Sequence, residues 1–284
     1  MVVMMMSRIL HISDLHLGPK EIIPGVDPSV FLAEFFAEVV ERRIAIDCCL
    51  VTGDLVHGGE PAAYERLRRL LNSCPWPTRV LPGNHDDVKR GREILGPTYW
   101  PVEDIWEWEV EGGSTIIGVN STLPGYNHGE ISKGSIKIVE QLASSASARG
   151  PWVLALHHPP QDVGHWWMDA QGLLEGRERV LEIAFKNQAA AILCGHVHMN
   201  AVIHCKGSVP IIIAPSTVYE VVYDDSLERP LLFRRRSPRA LLHHLCINQM
   251  VTVELTTGGR SWLAEGSPWK DEVDRSNRRL PAKR

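Results

Sequence analysis

Five short apolar runs, at residues 8–13, 47–52, 78–81, 152–156 and 190–194, each lead into a polar cluster built from Asp, His, Asn or Gly. Runs of this length, bounded by turn-forming residues, read as buried strands. Residues 30–43 and 61–71 carry apolar side chains at three- and four-residue steps, and 87–95 reads as a further helix. Strand alternating with helix is the sequence form of βαβ units around a partly parallel sheet. Loops at the carboxyl ends of such strands meet over one crevice, so clusters far apart in sequence can converge there.

The pattern then changes. Trp106, Trp108 and Val110 alternate with Glu107, Glu109 and Glu111, which predicts a half-buried strand. Gly112-Gly113 and the apolar run 114–119 complete a hairpin. Helices are expected at 135–147 and 172–187, and several strands follow to about residue 255. No internal repeat or low-complexity linker interrupts the chain, so one domain is expected over 1–270, with a polar basic tail at 271–284 that should fray.

A formal charge of -4 on 284 residues gives no field for wrapping nucleic acid or lying on an anionic membrane. The six cysteines show no CxxC spacing and sit mostly in apolar runs, as buried free thiols in a reducing, cytoplasmic setting do. No stretch has transmembrane length, and residues 1–10 lack a cleavage pattern. A soluble protein is therefore expected, whose first strand begins almost at once.

The polar clusters are Asp14-Leu15-His16, Gly53-Asp54, Gly83-Asn84-His85-Asp86, His157-His158-Pro159 and Gly195-His196-Val197-His198. An extended backbone would put Asp14 and His16 on one face, and likewise His196 and His198. Gly53, Gly83 and Gly195 would let the chain approach a bound group closely. Imidazole, carboxylate and amide donors together suit first-row ions such as Mn, Fe, Zn, Co or Ni. The donors are too many for one tetrahedral ion, and two ions sharing a carboxylate sit about 3.5–4 Å apart.

These segments, in this order, resemble the D-x-H, GD, GNH, H-x-P and GHxH motifs of calcineurin-like metallophosphoesterases, over residues 14–198. The resemblance implies an α/β fold, an αββα sandwich of two mixed sheets flanked by helices, with a dimetal cluster at one rim. It implies that Asp14, His16 and His198 hold one ion, that Asn84, His157 and His196 hold the other, and that Asp54 bridges them. Water activated between the ions is the implied nucleophile, and His85 the implied catalytic acid. The forms GNHD, HHPP and CGHVH look like the branch of bacterial class III cyclic-nucleotide phosphodiesterases and glycerophosphodiesterases. The implied substrate is a small phosphodiester such as 3′,5′-cyclic AMP; rivals are a glycerophosphodiester, a phosphomonoester, DNA, or a scaffold that binds a partner protein without catalysis.

Other residues admit plainer readings. His158 adjoins His157 and would replace it in another register, although the family pattern puts the ligand two before proline. His11 reads as core, and His243 and His244 as structural. His57, His128 and His165 are candidate substrate contacts, the last within a His165-Trp166-Trp167 segment that is either a lid or a hydrophobic plug or subunit contact. Arg234-Arg235-Arg236 reads as a solvated edge.

Overall fold

The computed structural model describes residues 6–18, 27–204, 207–224 and 231–257; the tail at 271–284 lies outside them. The chain opens with β1 (Ser7–Ile12), α1 (Pro28–Glu41), β2 (Cys48–Thr52), α2 (Pro61–Ser73), β3 (Thr78–Leu81) and α3 (Val88–Leu95). The hairpin β4 (Ile105–Val110) and β5 (Ser114–Val119) follows, then β6 (Gly129–Glu130), α4 (Lys133–Arg149), β7 (Trp152–Ala155) and α5 (Trp166–Asp169). Next come β8 (Leu173–Glu175), α6 (Arg177–Lys186), β9 (Ala191–Cys194), β10 (Ala201–Ile203) and β11 (Ile211–Ile213). The last strands are β12 (Tyr219–Val221), β13 (Phe233–Arg235), β14 (Arg239–Cys246) and β15 (Gln249–Thr256).

Two mixed sheets result, ordered β15-β14-β1-β2-β3 and β10-β11-β9-β7-β5-β4. The central neighbours β1, β2 and β3 are parallel, as are β5, β7, β9 and β11, while antiparallel strands close the remaining edges. Strand side chains alternate between two cores, because successive Cβ atoms point to opposite faces. Ile9, Leu50, Val153 and Leu193 fill the layer between the sheets. Leu10, Val51 and their neighbours pack under α1 and α2, and Leu154 and Ile192 pack under α4 and α6. The αββα sandwich expected from the motifs is therefore the fold.

Helix starts follow local chemistry. Asp27, Asp87 and Ser132 each accept a hydrogen bond from a backbone N–H in the first turn of α1, α3 and α4. Residues 172–187 do not form the single helix expected. Leu173–Glu175 is a strand paired with β6, and Gly176, at φ 84°, turns the chain into α6. A Cβ on Gly176 would lie 2.8 Å from the Ile131 carbonyl oxygen, so the turn needs glycine there.

His11 belongs to the core, as its apolar surroundings suggested. One ring nitrogen lies 2.8 Å from Thr52 Oγ1 and the other 3.1 Å from His243 Nε2, whose own Nδ1 meets Thr252 Oγ1 at 2.8 Å. This chain of hydrogen bonds crosses β2, β1, β14 and β15 and satisfies both buried imidazoles.

Candidate dimetal site

The clusters do converge at the carboxyl edges of β1, β2, β3, β7 and β9, but the backbone there is not extended. Asp14 (φ 54°), His16 (φ 43°), Asp54 (φ 49°), His196 (φ 74°) and His198 (φ 58°) all lie in the left-handed region. That conformation is uncommon for residues with a Cβ. The loops are pinned in it by backbone bonds: Asp14 N–H donates to Gly53 O at 3.0 Å, and His16 N–H to Asp54 O at 2.9 Å. Curling the chain at every second residue, rather than pleating it, turns Asp14 and His16 inward together. His196 and His198 repeat the device.

Ligand atoms of Asp14, His16, Asp54 and His198 all lie within 4.8 Å of one another. His16 Nε2 is 3.0 Å from His198 Nε2 and 3.4 Å from Asp54 Oδ2, and His198 Nε2 is 3.4 Å from Asp14 Oδ1. Asn84 Oδ1 forms a second focus, 3.3 Å from His157 Nε2 and 3.0 Å from His196 Nδ1. Asp54 stands between the two, with Oδ2 toward His16 and Oδ1 3.5 Å from His157 Nε2. His85 lies beside them, its backbone N–H donating to Asp54 Oδ1 at 3.0 Å and its Nε2 4.0 Å from Asp54 Oδ2.

The electrostatics suit cations. Burial pushes the Asp14 carboxyl up to about 7. Burial acts the same way on Asp54, but the charge of His157 and its hydrogen bond outweigh it and hold that carboxyl well below its usual range. Burial drives His16 down, His196 to about 3 and His198 to about 4, so these imidazoles are neutral with lone pairs available. His157 is the exception: burial opposes its charge, yet Asp54 raises it to about 9. A metal ion would take over that proton's task beside Asp54. Among the described residues, Nε2 of His196 is buried without a hydrogen-bond partner. Two buried carboxylates, an amide oxygen and neutral imidazoles facing two foci fit a pair of metal cations.

The register at His157 and His158 is visible in their hydrogen bonds. His157 Nδ1 donates to Thr52 O at 2.7 Å, which leaves Nε2 facing Asn84 and Asp54. His158 has both nitrogens engaged, by Ser121 Oγ at 2.9 Å and Asn127 O at 3.1 Å. Asp86 has a role its motif did not reveal. Its carboxylate accepts from the backbone N–H groups of Leu55, Val56 and Gly83 and from the Tyr64 hydroxyl, clasping the Asp54 loop to the Asn84 loop.

The profile of the family described as Calcineurin-like phosphoesterase matches residues 7–200. The chain belongs to that family. A probable cyclic nucleotide phosphodiesterase of a Synechococcus strain is 32% identical over 218 residues, 76% of this chain and 82% of the relative. A cAMP/cGMP dual specificity phosphodiesterase of Mycobacterium tuberculosis is 31% identical over 225 residues, 74% of this chain and 67% of the relative. A glycerophosphodiester phosphodiesterase of Enterobacter lignolyticus is 26% identical over 250 residues, 86% and 89% of the two chains. The crystal structure of a dimetal phosphatase from Danio rerio shares the fold, at a TM-score of 0.64 and 11% identity over 87% of this chain and 98% of that one.

Around its polar floor this calcineurin-like phosphoesterase has a cleft of about 180 Å³, lined by Asp54, Asn84, His85, His196 and His198 below. Its sides come from Tyr219, Val221, Leu231 and Phe233 and, across the floor, from Trp167, Met168, Gln171 and Asn127. His165 is not among the lining residues. It is 1% exposed, sits at the start of α5, and has no hydrogen-bond partner on either ring nitrogen among the described residues, while its neighbour Trp167 faces the cleft. His128 also stands outside the lining, 3.6 Å from Glu130 and against the Tyr126 ring, and its neighbour Asn127 is the one at the cleft. His57 stands nearer the floor. It stacks on His85 with centroids 4.9 Å apart, and its Nδ1 is 3.4 Å from His16 Nδ1. Trp167 belongs to the segment read as a lid or a plug, whereas Tyr219, Val221, Leu231 and Phe233 are the wall residues sequence reasoning missed, because short apolar stretches carry no signal of what they face.

Proposed function

We propose that this protein is a dinuclear metal-dependent phosphodiesterase acting on small phosphodiesters, with 3′,5′-cyclic AMP as the leading substrate. The observation that carries the proposal is the placement of Asp54, whose two carboxylate oxygens face two separate donor groups. Asp14, His16 and His198 would hold one ion, Asn84, His157 and His196 the other, and Asp54 both. Manganese, iron, zinc, cobalt or nickel match these donors. Bound there, the ions supply positive charge that lowers the pKa of water and offsets charge on the phosphoryl oxygens.

His85 is suited to the leaving group. Its side chain is 37% exposed, so it reaches substrate, and its backbone bond to Asp54 fixes its place. In this role it carries a proton to the departing oxygen. Cyclic-nucleotide specificity is supported by the names of the Synechococcus and M. tuberculosis relatives. A glycerophosphodiester is the second reading, supported by the relative that covers more of this chain. A scaffold without catalysis would have no need of all seven donors, and a formal charge of -4 disfavours DNA. A cytoplasmic setting is supported by five free cysteines among the described residues, four of them buried.

The test is metal content measured together with hydrolysis of bis(p-nitrophenyl) phosphate after manganese reconstitution. Two ions per chain and turnover that Asp54→Ala abolishes are expected. Near wild-type rates in that variant would refute the bridge, and bound metal without turnover would favour the scaffold.

A further inference from the structure

The cleft walls differ in chemistry from its floor. Within the described residues no wall side chain is charged: one wall is Tyr219, Val221, Leu231 and Phe233 on the β12–β13 hairpin, the other Trp167 and Met168 in α5. The Tyr219 ring lies against His198, with centroids 4.5 Å apart at 30°, and Phe233 meets Tyr219 edge-on at 5.1 Å. Aromatic surface thus starts directly at a candidate metal ligand and rises to the mouth, where Phe233 is 52% exposed.

Two carboxamides complete the cleft, those of Asn127 and Gln171. Neither side chain is committed to a hydrogen bond among the described residues, and each offers both donor and acceptor. Flat apolar walls with uncommitted amides match a planar heterocycle rather than glycerol, whose hydroxyls would lose water against Trp167 and Phe233 without replacement. A cleft of about 180 Å³ has room for a single ring system of this kind.

The hairpin is also held in place from behind. Glu220, between Tyr219 and Val221 in sequence, takes Arg234 at 2.7 Å, Arg236 at 2.8 Å and Arg239 at 3.3 Å. The arginine run expected to be a solvated edge is partly an anchor for this wall. Arg235 instead lies over the Phe31 ring at 5.3 Å.

We propose that the cleft between α5 and the β12–β13 hairpin is a nucleobase subsite, which selects nucleoside phosphodiesters over glycerol diesters. This rests on the hydrolase reading, because the phosphoryl group must sit on the metal floor for the base to reach the walls. Direct binding tests it without turnover. The manganese-loaded full chain is titrated by calorimetry with adenosine 5′-monophosphate and, separately, with glycerol 3-phosphate, in wild type, Phe233→Ala, Phe233→Leu and Trp167→Ala. Loss of a stacking face should weaken AMP binding roughly 5- to 100-fold. Glycerol 3-phosphate should change less than about twofold, with metal content unaltered. Equal weakening of both ligands, or none of either, would overturn the subsite. Absence of bis(p-nitrophenyl) phosphate hydrolysis by the wild type would instead remove the hydrolase reading. Phe233→Leu keeps bulk at an exposed position, so a folding defect in Trp167→Ala would not end the test.

Discussion

Gly83→Ala isolates how closely two loops must approach for the metal floor to form. A Cβ at residue 83 would lie 2.1 Å from Asp54 Oδ1, 2.3 Å from Asp54 N and 2.8 Å from Asp54 Cγ. Carbon contacts relax at about 3.5 Å, so roughly 1 Å must be found somewhere. The backbone at Gly83 is not left-handed, so collision rather than torsional strain sets the cost. Either the loop at 83–86 retreats, carrying Asn84 and His85 with it, or the Asp54 carboxylate swings off its two foci. Neither is easy, because Asp86 ties these loops together through Gly83 N–H at 2.9 Å and Leu55 N–H at 3.0 Å. Misplacing a reacting or orienting group by 1 Å costs about 10²-fold in rate. The expected result is a fall of kcat by about 100-fold on bis(p-nitrophenyl) phosphate at saturating manganese, with fewer than two ions per chain by mass spectrometry. Gly134→Ala is the control, since its Cβ would make an ordinary contact with Ser132 Oγ, at 3.7 Å, and it should leave rate and metal unchanged. A Gly83→Ala enzyme with full metal and a rate within about threefold of wild type would refute this account of the loop contact.

Replacing His85 by alanine should keep both ions and slow hydrolysis by about 10²–10⁴-fold; a metal-free variant would make His85 a ligand instead. His57→Phe keeps a ring on His85 but removes the nitrogen 3.4 Å from His16 Nδ1. Manganese affinity should weaken about 10–100-fold, as when a ligand's outer partner is lost, and an unchanged binding isotherm would count against that partnership. Glu220 is half-buried, which opposes its charge, but hydrogen bonds from Arg236 and Arg234 and the charge of Arg239 lower its carboxyl to about 2. Its contribution to stability is present above about 4.5, the ordinary glutamate value, and fades as pH falls toward 2. Glu220→Gln should therefore melt below wild type at neutral pH, with the gap closing between those values; a gap that widens on acidification would contradict this.

Much of the sandwich was legible because its strands are buried on both faces and so read as continuous apolar runs. What the sequence hid depends on distant partners. Leu173–Glu175 has no period of its own and is a strand only because β6 lies alongside it. The β12–β13 pairing likewise joins Tyr219 to Arg235, and the intervening Asp224-Asp225-Ser226 and Pro230 mark a turn without saying which short runs pair across it. At the site, the identities of the clustered residues were readable and their backbone was not. Two-residue spacing suggested a pleat, whereas the loops curl, since bonds such as Asp14 N–H to Gly53 O bind them to a neighbour. Trp167 and Phe233 could not be placed from sequence, because an aromatic residue at a cleft mouth looks like one in a core.

The left-handed turns at Asp14, His16, Asp54, His196 and His198 bear on how the protein handles its ions. Each such residue costs on the order of 1 kcal/mol or more, and together they approach the net stability of an ordinary domain. Folding of the two sheets absorbs that expense. The shape of the rim is therefore set by the backbone rather than by the ions alone. Chelation should strip the ions without melting the molecule, and reloading should need no refolding, so that one protein can be charged with different elements in turn and compared like for like.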